Sequence, residues 1–296
     1  MTLAPTRYAR APDERVDWLP NLPFFAVHIA PLFAFITGVT RSDIALCLGL
    51  YVLRMFCITA GYHRYFSHRA YKMGRALQFL IAFGGATAAQ KGPLWWAAHH
   101  RHHHKHSDMP EDLHSPRKGF WWSHVGWIIC SKYRGTNLHA IKDFAHYPEL
   151  RLLDKYYMVP PALLGIACYM LGGWSALVTG FFLSTVITYH STFVINSLAH
   201  VIGQRRYATP DTSRNSFVLA LITLGEGWHN NHHHYQSTAN QGFFWWELDV
   251  SYYILRGLSA LGLVWDLRTT PKRLLAKNLA RDAHPNCHEL HPTIDR

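Results

Sequence analysis

The 296-residue chain has few cysteines, and the five that it has, at positions 47, 57, 130, 168 and 287, form no Cys-x-x-Cys pair. Their scatter excludes a disulfide-stapled secreted framework and a cysteine-ligated iron–sulfur cluster. A G-x-G-x-x-G dinucleotide fingerprint is absent as well, so any redox function needs electrons from a separate protein. No recognised nucleic-acid-binding motif accompanies the net charge of +11, and we expect no nucleic-acid partner.

Acidic residues are also scarce, 18 against 29 lysines and arginines. Two Glu-x-x-His pairs, Glu111 with His114 and Glu226 with His229, have the spacing found in carboxylate-bridged di-iron bundles. A proline precedes Glu111 and glycines flank Glu226, so neither carboxylate lies in a good helix interior. The sequence therefore disfavours a carboxylate-bridged metal centre.

Long apolar runs, in contrast, are abundant. Four of them have roughly the ~20 residues that a transmembrane helix needs, at 19–39, 44–61, 156–172 and 174–195. The sequence predicts an all-α integral membrane protein whose four transmembrane helices form two hairpins. A shorter apolar stretch, 76–90, is rich in small residues and is predicted to be an interfacial or re-entrant helix.

The distribution of positive charge predicts the orientation. Of the 29 Lys and Arg residues, 14 lie between residues 64 and 155 and 10 follow residue 200, whereas the turn at 171–174 has none. The positive-inside rule then places both termini and the long central segment in the cytoplasm. We expect residues 62–155 and 196–296 to form a helical cytoplasmic cap, and the whole chain, 1–296, to be one multi-pass membrane domain.

Histidine is the residue that the chain has in excess, as in HHRHHHKH at 99–106. Positions i, i+3 and i+4 of an α-helix fall within about 100° of one face, so three imidazoles can converge there. The stretch HNNHHH at 229–234 has this spacing in one way, as His229, His232 and His233. The stretch at 99–106 has it in two ways, between which spacing does not choose: His99, His102 and His103, or His100, His103 and His104.

A further pair, His63 and His68, follows the second apolar run, and His200 follows the fourth. Residues five apart on an α-helix are about 140° apart, so His63 and His68 can serve one site only if the helix ends or bends between them. Eight or nine neutral imidazoles are too many for one ion and predict a dinuclear metal site. The isolated histidines are predicted to be structural: His28, His139, His146, His190, His284, His288 and His291.

These segments resemble the histidine boxes of a known family. HRYFSH (63–68), HRHHH (100–104) and GEGWHNNHH (225–233), with NSLAH (196–200) between them, are similar to the three boxes and the additional histidine of membrane fatty acyl desaturases of the stearoyl-CoA delta-9 type. SHVGW (123–127) and VWDL (264–267) extend the resemblance. The basic residues Arg64, Arg101 and Lys105 match this pattern and select the register His100, His103 and His104 for the second box.

The resemblance implies a centre of two Fe ions held by nine histidines and by one asparagine acting through water: His63, His68, His100, His103, His104, His200, His229, His232, His233 and Asn196. It implies O2-dependent desaturation of a long-chain fatty acyl substrate, with a cis double bond at the delta-9 position. Gln90, Trp96 and Thr192 match positions that line the acyl tunnel, with plain core packing as an equal alternative.

Two other functions compete with desaturation. A di-iron membrane hydroxylase or monooxygenase acting on an alkyl or acyl chain is the alternative within related chemistry, because the same oxidant can transfer oxygen instead of removing a second hydrogen. A metal transporter or storage protein is the alternative from another class. It is disfavoured because nearly all the histidines lie outside the apolar runs instead of along a path through them.

Two departures from the animal acyl-CoA desaturases concern the substrate headgroup. Ala98 and His99 replace the Arg-Asp pair before the second box, and Phe193 stands in place of a tryptophan near Asn196. The acyl group is therefore expected on CoA, on a membrane lipid or on a carrier protein. The candidate phosphate contacts are Lys91, Arg117, Lys118 and Lys132, for each of which a solvated surface role is the alternative. An external carrier, ferredoxin or cytochrome b5 with its reductase, is expected to dock on the basic cytoplasmic face.

Overall fold

The computed structural model describes residues 7–280, which are mostly helical. The structural roles predicted for His284, His288 and His291 lie outside the described residues. The helical segments are Leu19–Asn21, Leu22–Ile29, Ala30–Phe33, Ala34–Thr37, Arg41–Phe56, Cys57–Ser67, Arg75–Ala86, Pro93–His106, Pro116–Lys118, Trp122–Gly126, Ser131–Tyr133, Leu138–Ile141, Lys142–Ala145, Pro148–Lys155, Val159–Ser175, Ala176–Leu183, Ser184–Asn196, Leu198–His200, Phe217–Ile222, His229–His234, Val250–Ala260 and Lys272–Leu275. The strands Lys72–Met73 and Val264–Trp265 pair in antiparallel fashion.

Three helices of the described chain are long and apolar enough to cross a membrane: Leu19–Thr37, Arg41–Ser67 and Val159–His200. None of the residues in Leu19–Thr37 is buried, and most of its large apolar side chains are exposed. A surface of this kind suits contact with lipid tails. The helix Val159–His200 takes in most of the third predicted apolar run, 156–172, and all of the fourth, 174–195.

This helix is interrupted at Gly172 and Gly173, whose backbones leave the helical conformation. Gly173 has φ 64° and ψ −150°, a combination that residues with a Cβ atom rarely adopt. The segment before the interruption packs against Ala176–Leu183 after it, where Gly165 lies beside Phe181 and Leu177. The chain therefore reverses direction at the two glycines.

The helix Arg41–Ser67 changes its pitch along its length. It begins with a capping box in which the Thr40 hydroxyl accepts from the backbone NH of Asp43 and the Asp43 carboxylate accepts from that of Thr40. From Cys57 to Ser67 it is a π-helix, with hydrogen bonds between residues five apart. The backbone NH of His68 thus donates to the carbonyl of His63 (3.2 Å), and both residues lie on one face. The two histidines therefore approach each other through a wider turn, which the sequence argument did not consider.

The hydrophobic core surrounds this π-helix, in which every residue is buried. Tyr62 and Phe66 pack there against the helices Arg75–Ala86 and Pro93–His106. A Cβ atom at Gly85 would lie 2.4 Å from the Tyr62 ring, so the close approach requires a glycine. The helix Arg75–Ala86 occupies most of the apolar stretch predicted to be interfacial, and it has one buried and one exposed face.

Candidate metal centre

Nine histidines converge from four separate segments of the chain into two neighbouring groups. Within each group the candidate ligand atoms lie within 4.8 Å of one another. The first histidine set is His63, His68, His100, His104 and His232, and the second histidine set is His103, His200, His229 and His233. These are the nine histidines that the resemblance implies as ligands.

Two helices supply members to both sets. On Pro93–His106, His100 and His104 are one turn apart and join the first set, whereas His103 joins the second. On His229–His234, His229 and His233 join the second set, whereas His232 joins the first. The first set is therefore completed only when both helices and the π-helix are in place, and the second only when both helices and His200 are.

His99 and His102, the two histidines that belong only to the alternative register, have other partners. The His99 ring stacks on Trp95 and its Nδ1 donates to the Trp95 carbonyl at 2.8 Å. Burial lowers the pKa of His99 to about 4, so this ring is neutral at physiological pH. His102 is exposed, and its Nε2 lies 3.0 Å from the Glu111 carbonyl oxygen. The structure thus directs His100, His103 and His104, but not His99 and His102, into the two sets.

The imidazole nitrogens are spaced as a bound ion requires. Nitrogens that bind one ion at about 2.1 Å and at right angles lie about 3.0 Å apart. Burial lowers the pKa values of His100, His104, His229 and His232 well below the ordinary value, so their rings are neutral. The Nε2–Nε2 distances are 2.9–3.1 Å for the pairs His68–His100, His100–His104, His104–His232, His63–His232 and His200–His229. Since neutral rings direct their Nε2 atoms at one another at this spacing, the donor set fits a cation.

Buried aspartates orient the second histidine set. Asp112 accepts from His103 Nδ1 at 3.1 Å and Asp211 accepts from His233 Nδ1 at 2.8 Å. An acceptor at Nδ1 fixes the tautomer, leaving the Nε2 lone pair free for a metal ion. Burial raises the pKa of both carboxyls, but the charge and hydrogen bonds of the neighbouring histidines lower them below the ordinary value. Both aspartates are therefore ionised at neutral pH.

A third aspartate reaches the same set through a hydroxyl group. The Asp108 carboxylate accepts from the backbone NH and the hydroxyl of Thr212, each at 2.6 Å. The Thr212 hydroxyl in turn lies 3.1 Å from His200 Nδ1, and Asp108 itself is 3.6 Å from that nitrogen. Burial raises the pKa of Asp108, but hydrogen bonds to His200 and Thr212 bring it down to about 2. Sequence reasoning missed all three aspartates, because no periodic spacing connects them to the histidines.

One glutamate, Glu226, contacts the first histidine set without belonging to it. Glu226 is not among the candidate ligands, and its carboxylate lies 2.5 Å from His63 Nδ1. The buried guanidinium of Arg64 binds Glu226 at 3.0 Å and Asp249 at 2.9 Å. Arg64 thus joins the first histidine box to the glutamate of the third.

Arg101 plays a similar part for the second box. Its guanidinium donates to both oxygens of Asp143 at 2.9 Å and to the carbonyls of Phe66 and Ser67 at 2.8 and 2.9 Å. The carbonyls belong to the end of the π-helix, just before His68. The basic residues that follow the first histidines of these boxes therefore connect the boxes to each other and to neighbouring segments of the chain.

A mostly apolar cavity of about 360 Å³ adjoins the first histidine set. All three residues predicted to line a tunnel, Gln90, Trp96 and Thr192, lie in its wall. Gln90 Nε2 donates to the Thr192 hydroxyl at 3.0 Å, and Trp96 stacks on His100 with ring centroids 4.9 Å apart. The other lining residues are Pro20, Asn21, Pro23, Phe24, Val27, Ala89, Lys91, Trp95, His99, His100, His114, Trp127, Ile128, Ile129, Tyr157, Met158, Pro161, Ala162, Phe181, Phe182, Thr185, Tyr189, Phe193 and Asn196.

The Glu111–His114 pair does not act as a unit. Glu111 is exposed, whereas His114 is buried in the cavity wall and stacks on His103 with centroids 4.1 Å apart. His114, His103 and Asp112 form a third group close enough to hold an ion. Because Asp112 already accepts from His103 Nδ1, this group overlaps the second histidine set.

The cations expected to contact phosphates are largely engaged within the protein. Lys118 binds Glu14 at 2.6 Å in a buried ion pair, and Lys132 binds Asp13 at 2.8 Å. Arg117 donates to the Tyr8 hydroxyl at 3.0 Å. Lys91 alone of the four lines the cavity, where its Nζ contacts the Tyr157 hydroxyl at 3.0 Å.

The described residues thus combine helices that could span a membrane with two histidine sets that could bind metal ions, the features of a class of metal-dependent membrane enzymes. A model of the fatty acid desaturase family matches residues 43–263, and the chain belongs to this family of enzymes. The resemblance inferred from the histidine boxes is thereby confirmed.

Several relatives match most of the chain. The sn-1 stearoyl-lipid 9-desaturase of Anabaena variabilis is 37% identical over 90% of this chain and 98% of its own. The sn-2 palmitoyl-lipid 9-desaturase of Nostoc sp. is 37% identical over 88% of this chain and 94% of its own. The Acyl-CoA C20 Delta5-desaturase of Anemone leveillei is 35% identical over 82% of this chain and 78% of its own. Since relatives named for lipid and for CoA substrates are about equally similar, identity alone does not select the headgroup.

Proposed function

We propose that this protein is an O2-dependent desaturase that inserts a cis double bond at the delta-9 position of a long acyl chain carried by a membrane lipid. The observation that carries the proposal is the contact between the first histidine set and the apolar cavity, through His100 and Trp96. A cavity that brings an alkyl chain to a metal centre suits the oxidation of an unreactive methylene group. The names of the lipid 9-desaturases among the relatives support the same reaction.

The nine histidines of the two sets would hold two iron ions, with Asn196 acting through water. When bound, the iron pair supplies the O2 activation that removal of hydrogen from a methylene requires. The protein's own contribution is to fix the rings. Glu226, Asp112, Asp211 and Thr212 hold Nδ1 of four histidines so that each Nε2 faces inward.

The cavity residues would select the carbon atoms that react. Methylenes along an acyl chain are chemically alike, so only the fit of the chain to the wall distinguishes one pair from the next. The hydrogen bond from Gln90 to Thr192 fixes two elements of that wall relative to each other. Trp96 covers His100 and helps to exclude water from the reacting carbons.

A lipid-borne acyl group fits this chain better than acyl-CoA. Recognition of CoA requires free cations for its phosphates, and Lys118 and Lys132 are already paired with Glu14 and Asp13. His99, at the position where acyl-CoA desaturases have an acidic residue, is neutral and bound to a backbone carbonyl. The cavity wall also includes Phe24 and Val27 of the lipid-exposed first helix, which gives it a border with the bilayer.

Four membrane crossings, with both termini and the cap in the cytoplasm, fit these observations. The reversal at Gly172 and Gly173 divides Val159–His200 into two antiparallel parts, and both histidine sets lie at the ends of the spans where Lys and Arg are concentrated. The whole chain, 1–296, would then act as one membrane domain. An acidic carrier, a ferredoxin or cytochrome b5 with its reductase, would dock on the basic cap surface. Carrier-dependent turnover that did not vary with ionic strength would contradict this docking.

Expression in a host that lacks desaturases tests the reaction, with mass spectrometry of derivatised fatty acids as the readout. We expect cis delta-9 chains to appear first in membrane lipid and not in the CoA pool. Hydroxylated chains without new alkenes would overturn the proposal and favour a hydroxylase.

His232 and His234 provide matched variants. His232→Ala should abolish activity and lose iron. His234→Ala should keep both iron ions, because His234 stacks on Tyr207 and its Nε2 lies 2.9 Å from the Leu274 carbonyl, away from both sets. Equal loss of iron in the two variants would overturn the ligand assignment.

A further inference from the structure

The two histidine sets differ in their access to solvent. All four members of the second set are buried, His103 at 1%, His200 at 4%, His229 at 3% and His233 at 9% exposure. In the first set only His63 and His232 are buried to this degree. His68 and His104 of the first set line an open pocket of about 360 Å³ on the cap surface, together with Arg101 and Lys105. Exchange with solvent is therefore possible at the first set and hindered at the second.

The two sets also differ in the charge behind their imidazoles. Three buried aspartates, Asp108, Asp112 and Asp211, stand behind the second set. In residues 7–280 no lysine or arginine lies within ion-pair distance of any of the three. Within residues 7–280 one carboxylate, Glu226, contacts the first set, and it is paired with Arg64, a guanidinium that Asp249 also binds. Buried negative charge without a cation is costly, so the second set has the greater need for a metal ion.

We infer that the two metal positions are inequivalent: the second histidine set holds its ion tightly and permanently, whereas the ion of the first set is labile and exchanges through the pocket lined by His68 and His104. This inference rests on the proposed two-ion centre. The number of imidazoles alone would give the opposite order, since the first set has five and the second has four. The carboxylates decide the order, because an aspartate that accepts from Nδ1 makes the ring a stronger donor.

Iron release from the purified iron-loaded enzyme, reduced and mixed with excess ferrozine, tests the inference. We expect two phases of equal amplitude, one ion each, with rates at least tenfold apart. His68→Ala should remove the fast phase and leave one slowly released ion. Asp211→Asn and Asp112→Asn should each accelerate the slow phase about 10–100-fold, the range seen when the partner of a ligating histidine is removed, and leave the fast phase unchanged.

Two further variants serve as controls. Glu149→Gln removes a carboxylate of the surface pair with Arg75 and should leave both phases unchanged. Glu226→Gln should accelerate the fast phase only. A size-exclusion profile like that of the wild type shows that each variant is folded, and two independent aspartates protect the test against the failure of one variant.

The outcomes separate this inference from the proposed function. Two ions released in a single phase, or a slow phase lost in His68→Ala, would overturn the inequivalence and leave the two-ion centre intact. Acceleration of the fast phase by Asp211→Asn would overturn it as well. A folded wild-type enzyme that binds no iron would overturn the proposed centre itself, and this inference with it.

Discussion

The buried guanidinium of Arg64 offers the sharpest test of how the histidine boxes are held together. It is 1% exposed and binds the carboxylates of Glu226 and Asp249 at 3.0 and 2.9 Å and the Ala239 carbonyl at 2.7 Å. Arg64→Met would leave two buried carboxylates without a cation. Removal of one partner from a buried ion pair costs about 3–5 kcal/mol, and we expect a loss of this size in the free energy of unfolding.

The loss should depend on pH in a defined direction. Burial raises the pKa of Asp249 even in the presence of Arg64, and without the guanidinium it rises further. A carboxyl whose pKa is higher in the folded state than in the unfolded state favours folding at low pH and opposes it as the pH increases. Arg64→Met should therefore be closer to wild type in stability at pH 5 than at pH 8.

Equilibrium unfolding in mixed micelles with increasing SDS measures these effects. Arg64→Lys keeps the charge but not the planar fork, so it should lose less than Arg64→Met, about 1.5–3 kcal/mol. Arg75→Met is the matched control, because Arg75 is largely exposed and an exposed ion pair such as its pair with Glu149 contributes little to stability. If the free energy of unfolding of Arg64→Met were within about 1 kcal/mol of the wild-type value, or no lower than that of Arg75→Met, the ion pair would not hold the boxes together.

Three more predictions concern the cavity and the hairpin. Thr192→Val removes the acceptor of the hydrogen bond from Gln90, which should lower the free energy of unfolding by about 0.5–1.5 kcal/mol. The double bond should then be spread over neighbouring carbons. A single unchanged double-bond position, determined by mass spectrometry, would contradict this expectation. Phe182→Ala enlarges the cavity and should shift the products of mixed acyl substrates towards longer chains, whereas an unchanged profile would refute the role of this wall. Gly173→Ala should reduce the free energy of unfolding by about 1–3 kcal/mol and lower the melting temperature. Gly49→Ala, in a helix with open space around it, should not lower the melting temperature.

Helical spacing could predict which histidines come together, but only up to a choice of register. In the run at 99–106 both triplets have the same periodicity, so the hydrophobic and helical pattern gives no preference between them. The structure makes the choice through neighbours from other positions: Trp95 holds His99, and the Glu111 carbonyl lies beside His102. The family resemblance selected the same register from Arg101 and Lys105. The assignment of the nine rings as iron ligands stays a prediction.

The carboxylates behind the histidines could not be predicted from the sequence. Asp108, Asp112 and Asp211 lie outside helices, where side-chain direction follows no fixed period. The pairing of Lys118 with Glu14 was hidden for a similar reason, because about a hundred residues separate the partners. The π-helix could not be predicted because the spacing of apolar residues in a sequence identifies α-helical and strand periods only.

The π-helical pitch has a consequence for how such centres can vary. Within this one chain, His63 and His68 are five residues apart on a π-turn, and His100 and His104 are four apart on an α-turn, yet all four rings meet in the same set. A π-helical turn accommodates one more residue than an α-helical turn and still brings the paired imidazoles together. Insertion or deletion of a single amino acid between paired ligands is thus a tolerable evolutionary step wherever the backbone can change between α-helical and π-helical turns.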